Sequence, residues 1–217
     1  SFLKQFLEHC ATGKNAVTGK TGAPLDFISY HAKGNPKVVE GHVQMGIAKN
    51  MSDVSRGMEI VTSFPQFKRL PIILTESDPE GCAACSARVY PHNTYRNGTM
   101  YSSYTAASFA RIHDLAARHG VNIEGALTWA FEFEDQPYFA GFRAMASNGL
   151  TLPVFNVHRM MAKMSGRRVE ALSSADAGVE TIIKSGVRER PDVAALASYD
   201  SAKRQLAVLV WHYHDDD

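Results

Sequence analysis

The chain reads as an α/β protein of the βα type. Three apolar runs of strand length, at residues 25–30, 70–75 and 121–131, alternate with stretches of helical period. Strands that are apolar on both faces and separated by helices are the mark of a parallel sheet covered by helices. A polar or aromatic side chain closes each run: His31, Glu76 and Trp129.

Phe2, Leu3, Phe6, Leu7 and Cys10 recur at helical spacing between polar residues, which predicts an amphipathic first helix stopped at Gly13. A Gly-rich polar loop over residues 11–24 leads into the first strand, 25–30, with His31 at its end. From Ser52, the side chains Val54, Met58, Ile60 and Val61 predict a helix that Phe64-Pro65 breaks, and the second strand, 70–75, delivers Glu76. Tyr104, Ala107, Phe109, Ala110, Ile112 and Leu115 form a helical stripe over residues 101–119, closed by Gly120. The third strand, 121–131, carries Trp129, and Pro153 opens a last helix predicted to run to Met164 before Gly166.

Past Gly166 the character changes. Residues 169–171, 193–199 and 205–213 are short and β-prone with no helix expected between them, and Ser201-Ala202-Lys203 reads as a hairpin turn. The organisation expected is therefore a βα unit over 1–166 followed by an all-β unit over 167–217. Three parallel strands alone leave an unpaired sheet edge. An eight-stranded (β/α)8 TIM barrel, of which this chain carries a portion, accounts for both the edges and the functional residues at the C-terminal strand ends.

Composition is that of an ordinary soluble globular protein. Twenty-three basic residues against twenty-two acidic ones leave a net charge of +1, which gives no reason to expect a nucleic-acid or membrane partner. No apolar run reaches the roughly 18 residues of a membrane span. Three cysteines do not make a disulfide framework. The lone Cys82-x-x-Cys85 pair reads as a local disulfide or two inert thiols rather than half a zinc site, and His212 and His214 as a solvated strand end rather than a metal site. The partner expected is a small neutral molecule.

Glu76 follows six apolar strand residues, where a carboxylate is either a mouth residue of a barrel or a surface glutamate. His31 stands in the same relation to its strand, as a sugar or carboxylate contact or as a core histidine. Trp129, with Phe131 and Phe133 following, offers an aromatic wall or plain core, and Glu132, Glu134 and Asp135 supply acceptors beside it. Flat apolar faces next to carboxylates suit pyranose rings, which carry C–H faces and a rim of hydroxyls.

The segments Ile73-Leu74-Thr75-Glu76, Phe27-Ile28-Ser29-Tyr30-His31-Ala32, the helix from Met100 through Phe109, and Leu127-Thr128-Trp129-Ala130-Phe131 resemble glycoside hydrolase family 39, the family of β-xylosidases and α-L-iduronidases, and most closely its bacterial β-xylosidase side. The resemblance spans nearly the whole chain. It implies the last part of the barrel, about strands six to eight, running into an accessory β-sandwich. It implies hydrolysis of a terminal xyloside or related glycoside by a retaining double displacement with two glutamates, needing no metal and no organic cofactor. Glu76 matches the nucleophile, His31 a strand-six histidine beside it, and Trp129 the tryptophan lining the glycone subsite. Glu134 falls near an acidic pair that holds sugar hydroxyls, with Glu132 and Asp135 as alternatives. The family's acid/base motif, Trp-Asn-Glu-Pro, does not occur in this chain. The expectation is thus a fragment inactive by itself, with a catalytically silent carbohydrate-binding or interaction module as the alternative and a Cys-x-x-Cys redox protein as a remote third.

Overall fold

A computed structural model describes residues 1–130 and 132–216. Helix α1 (Phe2–Thr12) is capped by the Ser1 hydroxyl and buries Leu7 and Cys10. Phe2 and Phe6, predicted to share that buried stripe, instead stack on each other in solvent, with centroids 6.4 Å apart.

Strand β1 (Ile28–Lys33) starts and ends three residues later than predicted, because the ladder tolerates the polar His31 and Lys33 where the hydrophobic pattern has already stopped. His31 therefore lies within the strand. A small hairpin, β2 (Lys37–Val39) and β3 (His42–Gln44), precedes α2 (Ile47–Thr62). The helix starts earlier than predicted, and its buried side chains Ile47, Met51, Val54, Met58 and Val61 repeat at helical period.

Strand β4 (Pro71–Asp78) likewise outruns its apolar stretch and includes Glu76. A 3-10 helix (Pro91–Asn97) leads to α3 (Thr99–His119), ended by Gly120 in the left-handed conformation. Strand β5 (Asn122–Ala126) is shorter than the predicted 121–131, whose last residue, Phe131, is outside the described set. The two-strand hairpin β6 (Ala146–Ser147) and β7 (Leu150–Thr151) turns through Asn148 and Gly149, both at positive φ. Helix α4 (Pro153–Met161) follows, three residues shorter than predicted.

The sheet order is β1-β4-β5, all parallel, with α2 and α3 packed on one face. The Tyr30 hydroxyl on that face donates to the Val54 carbonyl of α2 at 2.9 Å.

Beyond Gly166, β8 (Arg167–Val169), β9 (Asp192–Asp200) and β10 (Gln205–Tyr213) form an antiparallel sheet in the order β10-β9-β8. Helix α5 (Val179–Ser185), which the sequence did not suggest, lies between β8 and β9 and packs on α2. Seven residues with Ile182 as the buried one make too short a pattern to read as a helix.

The inner face of β10, with Leu209, Trp211 and Tyr213, continues the same hydrophobic core as α2 and α3. Arg111 ties α3 to this antiparallel sheet: it pairs with Asp176 and Asp192, both at 2.7 Å, and lies over the Trp211 ring, whose Nε1 donates to Asp192. No helix among the described residues is long and apolar enough to cross a membrane.

Candidate active site

The parallel sheet assembles its polar residues through register. Tyr30 pairs with Leu74, but His31 pairs with Glu76 and Lys33 with Asp78, so Thr75 is an extra residue bulged out of β4. Side chains alternate faces along a strand. Without the bulge, Glu76 and Asp78 would continue the parity of Ile72 and Leu74, which are fully buried. The bulge shifts the phase by one residue and turns both carboxylates away from that core.

Four side chains result as a block at the C-terminal edge of two strands. The Lys33 ammonium donates to Glu76 Oε2 and to Asp78 Oδ2, each at 2.6 Å. His31 Nε2 stands 3.8 Å from Glu76 Oε1, near the carboxylate but beyond hydrogen-bond distance.

Strand β5 supplies the third side. After Ala126 the chain keeps bonding to β4, through Leu127 N–H to the Leu74 carbonyl at 2.9 Å and Ser77 N–H to the Leu127 carbonyl at 2.7 Å. This carries Thr128 and Trp129 to Asp78, whose Oδ1 accepts from the Thr128 hydroxyl at 2.5 Å and from Trp129 N–H at 3.1 Å. The Tyr101 phenol hydrogen-bonds the same Thr128 hydroxyl at 3.1 Å; its burial, then the charge of Asp78, pushes its pKa well above the usual range, so it stays neutral.

Two fully buried arginines extend the network inward. Arg143 donates to the Trp129 carbonyl at 2.8 Å and to Glu80 Oε1 at 2.7 Å, and its Nη2 is 3.4 Å from Asp78. Arg96 pairs with Glu80 and donates to the carbonyls of Cys82, Cys85 and Gly141 at 2.7, 3.0 and 3.0 Å. Tyr95 donates its hydroxyl to Glu80 as well. Cys82 and Cys85 are joined in a disulfide, which closes the loop that Arg96 holds.

The two carboxylates of β4 differ in chemical availability. Asp78 is fully buried with donors on both oxygens, whereas the Glu76 side chain is 22% exposed and shares its charge chiefly with Lys33. Of the two, Glu76 is the one that reaches solvent. Trp129, whose N–H bonds Asp78, is 45% exposed. Glu134 sits in an exposed turn further along the same loop, and Glu132 accepts from Gly149 N–H. Among the described residues no group of His, Cys, Asp and Glu is arranged to hold a metal, and His214 is engaged with the Arg188 carbonyl at 2.7 Å.

Lys33, Asp78, Glu80 and Arg143 escaped the sequence reading. For Lys33 and Asp78 a signal existed: each lies two residues past a chosen site residue, hence on the same strand face. Arg143 left none, since it meets Glu80 across 63 residues of chain.

Carboxylates held at the C-terminal edge of a parallel, helix-covered sheet define a βα-barrel-like enzyme portion. The chain belongs to the glycosyl hydrolases family 39, whose model matches residues 1–206. A 73-residue stretch is 38% identical to mouse alpha-L-iduronidase, covering 34% of this chain and 10% of that protein. The crystal structure of a bacterial orthologue of human α-L-iduronidase superposes with a TM-score of 0.68 at 14% identity, over 99% of this chain and 35% of that one. The chain thus spans about a third of the solved relative. Both relatives carry the iduronidase name, and neither supports the β-xylosidase branch expected from the motifs.

Proposed function

We propose that the protein bearing this chain is a retaining glycosidase in which Glu76 attacks the anomeric carbon. The observation that carries this is the reachable Glu76 carboxylate, turned out by the Thr75 bulge and fixed by Lys33. In the first step its oxygen displaces the leaving group through an oxocarbenium-like transition state, giving a glycosyl ester; in the second, water hydrolyses that ester. The acid/base that protonates the leaving oxygen and then activates water lies about 5 to 5.5 Å from the nucleophile in such enzymes; this reading takes it from a Trp-Asn-Glu-Pro motif outside this chain. His31 orients Glu76 or meets a sugar hydroxyl, Trp129 faces the ring, and Glu134 or a neighbouring acid accepts hydroxyls.

The substrate class is a pyranoside with the xylo configuration. β-D-xylosides and α-L-iduronides share their configuration from C1 to C4 and differ by the carboxylate on C5, so one nucleophile position serves both. The names of the relatives favour the iduronide and the motif resemblance favours the xyloside. In this reading β1, β4 and β5 are strands six to eight of the barrel within residues 1–166, and β8 to β10 begin a β-sandwich within 167–217.

The test is Glu76→Ala in the full-length protein, assayed on aryl α-L-iduronides and aryl β-D-xylosides. Turnover falls on the order of 10³-fold or more, azide partly restores it, and a 2-fluoroglycoside labels Glu76 in the unsubstituted enzyme. Undiminished turnover, or a label on another residue, rejects the assignment.

A further inference from the structure

The Cys82-x-x-Cys85 pair has no part in the glycosidic steps, yet its disulfide closes the loop that directly follows the strand of Glu76. The carbonyls of Cys82, Ala83 and Cys85 all accept from the Arg96 guanidinium, at 2.7, 3.3 and 3.0 Å, and Asn93 Nδ2 donates to the Cys85 carbonyl at 2.9 Å. Asn93 and Arg96 are fully buried members of the 3-10 helix. A buried cation depends on such acceptors, because an N–H that loses one is left unpaired at a cost. The disulfide thus fixes the shape of the turn that cages Arg96.

From Arg96 the contacts run without a gap to the nucleophile. Arg96 and Arg143 share Glu80, Arg143 holds the Trp129 carbonyl and approaches Asp78 at 3.4 Å, and Asp78 shares Lys33 with Glu76. Asp78 and Glu80 also lie on the chain between Glu76 and Cys82, so one short segment is held by the sheet at one end and by the disulfide at the other. The pair is open to attack from solvent: Cys82 is exposed and Cys85 partly so. Exposed disulfides are the ones thiols reduce most readily.

We propose that the Cys82–Cys85 disulfide is a redox-sensitive positioning device for Glu76. Oxidised, it keeps the Arg96 cage and, through Glu80, Arg143 and Asp78, the frame on which Lys33 and Glu76 rest. Reduced by a dithiol, it lets that frame relax and slows glycoside cleavage. One thiolate of the dithiol attacks the Cys82 sulfur, and the S–S bond breaks with its electron pair going to Cys85. The second thiolate then displaces Cys82 from the mixed disulfide, so two electrons and two protons pass to the cysteines and the dithiol becomes a disulfide. Three residues apart in sequence, the two thiols stay near each other, and a disulfide oxidant rejoins them. This inference rests on the glycosidase reading.

The test measures kcat of the full-length protein on an aryl glycoside before and after dithiothreitol, with reduction of Cys82 and Cys85 verified by alkylation and peptide mass. Reduction lowers kcat about tenfold, within the sensitivity of catalysis to small displacements of a reacting group, and oxidised glutathione restores it. Cys82→Ser/Cys85→Ser has the kcat of the reduced parent and does not respond to dithiothreitol, which assigns the effect to this pair. An unchanged kcat with both thiols alkylated, or an equal response in the double variant, overturns the proposal. Hydrogen exchange at the Trp129 amide, which bonds Asp78, reads the transmission without catalysis: reduction speeds it severalfold and leaves the amides of β10 unchanged. That result upholds the coupling even where Glu76 proves not to be the nucleophile. An unchanged Trp129 amide, or an equal rise in β10, overturns it.

Discussion

Replacing Lys33 with Met removes the cation that Glu76 and Asp78 share. Its ammonium bonds both carboxylates at 2.6 Å, and side-chain exposures of 20% for Lys33, 22% for Glu76 and 0% for Asp78 put the trio partly out of water. Breaking a buried ion pair by deleting one partner costs about 3–5 kcal/mol. Here the loss is smaller, because Asp78 keeps Thr128, the Trp129 N–H and Arg143, and Glu76 turns toward solvent. About 2 kcal/mol remains as the expected destabilisation, read as a shift in the urea midpoint at constant slope. Much of that cost is repulsion between two carboxylates on one strand face, so Glu76→Gln on the Lys33→Met background recovers part of it. The double-mutant cycle should return a coupling of roughly 1 kcal/mol. Additive effects, or a Lys33→Met midpoint within about 0.5 kcal/mol of the parent, refute the shared-cation account.

Other consequences follow from single contacts. Reducing Cys82–Cys85, or replacing both residues by Ser, releases a loop closed over three residues of separation, and the loop-entropy relation assigns such a closure roughly 1.5–2 kcal/mol; an unchanged melting temperature counts against it. Gly57→Ala places a methyl 2.2 Å from the Tyr30 ring, and the overpacking, about 1–3 kcal/mol, outweighs the helix-propensity gain of under 1 kcal/mol, so this variant melts lower instead of higher. Partial burial holds the imidazoles of His119 and His158 below their ordinary pKa. The unfolded chain therefore takes up protons first as pH falls below about 6.5, and stability declines from neutral toward acidic pH; a flat melting profile between those limits, or one that His158→Phe leaves equally steep, contradicts this.

Helices α1 to α4 and the β9–β10 hairpin were legible because their periods are long and unbroken, whereas the seven-residue α5 was not; β10 occupies the same residues, 205–213, that its alternating pattern marks. The ends of β1 and β4 were not, since His31, Lys33, Glu76 and Asp78 look like loop residues to any reading based on apolar runs. The hairpin at Asn148-Gly149 did leave a signal, as that dipeptide is a strong marker of a two-residue turn. Buried Arg96 and Arg143 resemble loop arginines in sequence; only the fold brings Glu80 to both. Glu76 could be chosen from its place after a strand and from resemblance, yet the face it occupies depends on the Thr75 bulge, a matter of register between strands distant in sequence.

That register also explains how so many charges sit together. From the interior outward the order is Arg96, Glu80, Arg143, Asp78, Lys33, Glu76, alternating in sign with no excess of either. A buried chain of this kind avoids the cost of an isolated charge at every link. It also has one chemically open end: inner members are consumed by their neighbours, while Glu76 retains contact with solvent. When Glu76 forms a glycosyl ester, its negative charge is lost and Lys33 retains Asp78 as its partner. Lys33 thus remains paired through the covalent stage of the proposed cycle, and Asp78 is explained as the anchor that holds the cation in place while the nucleophile's charge comes and goes.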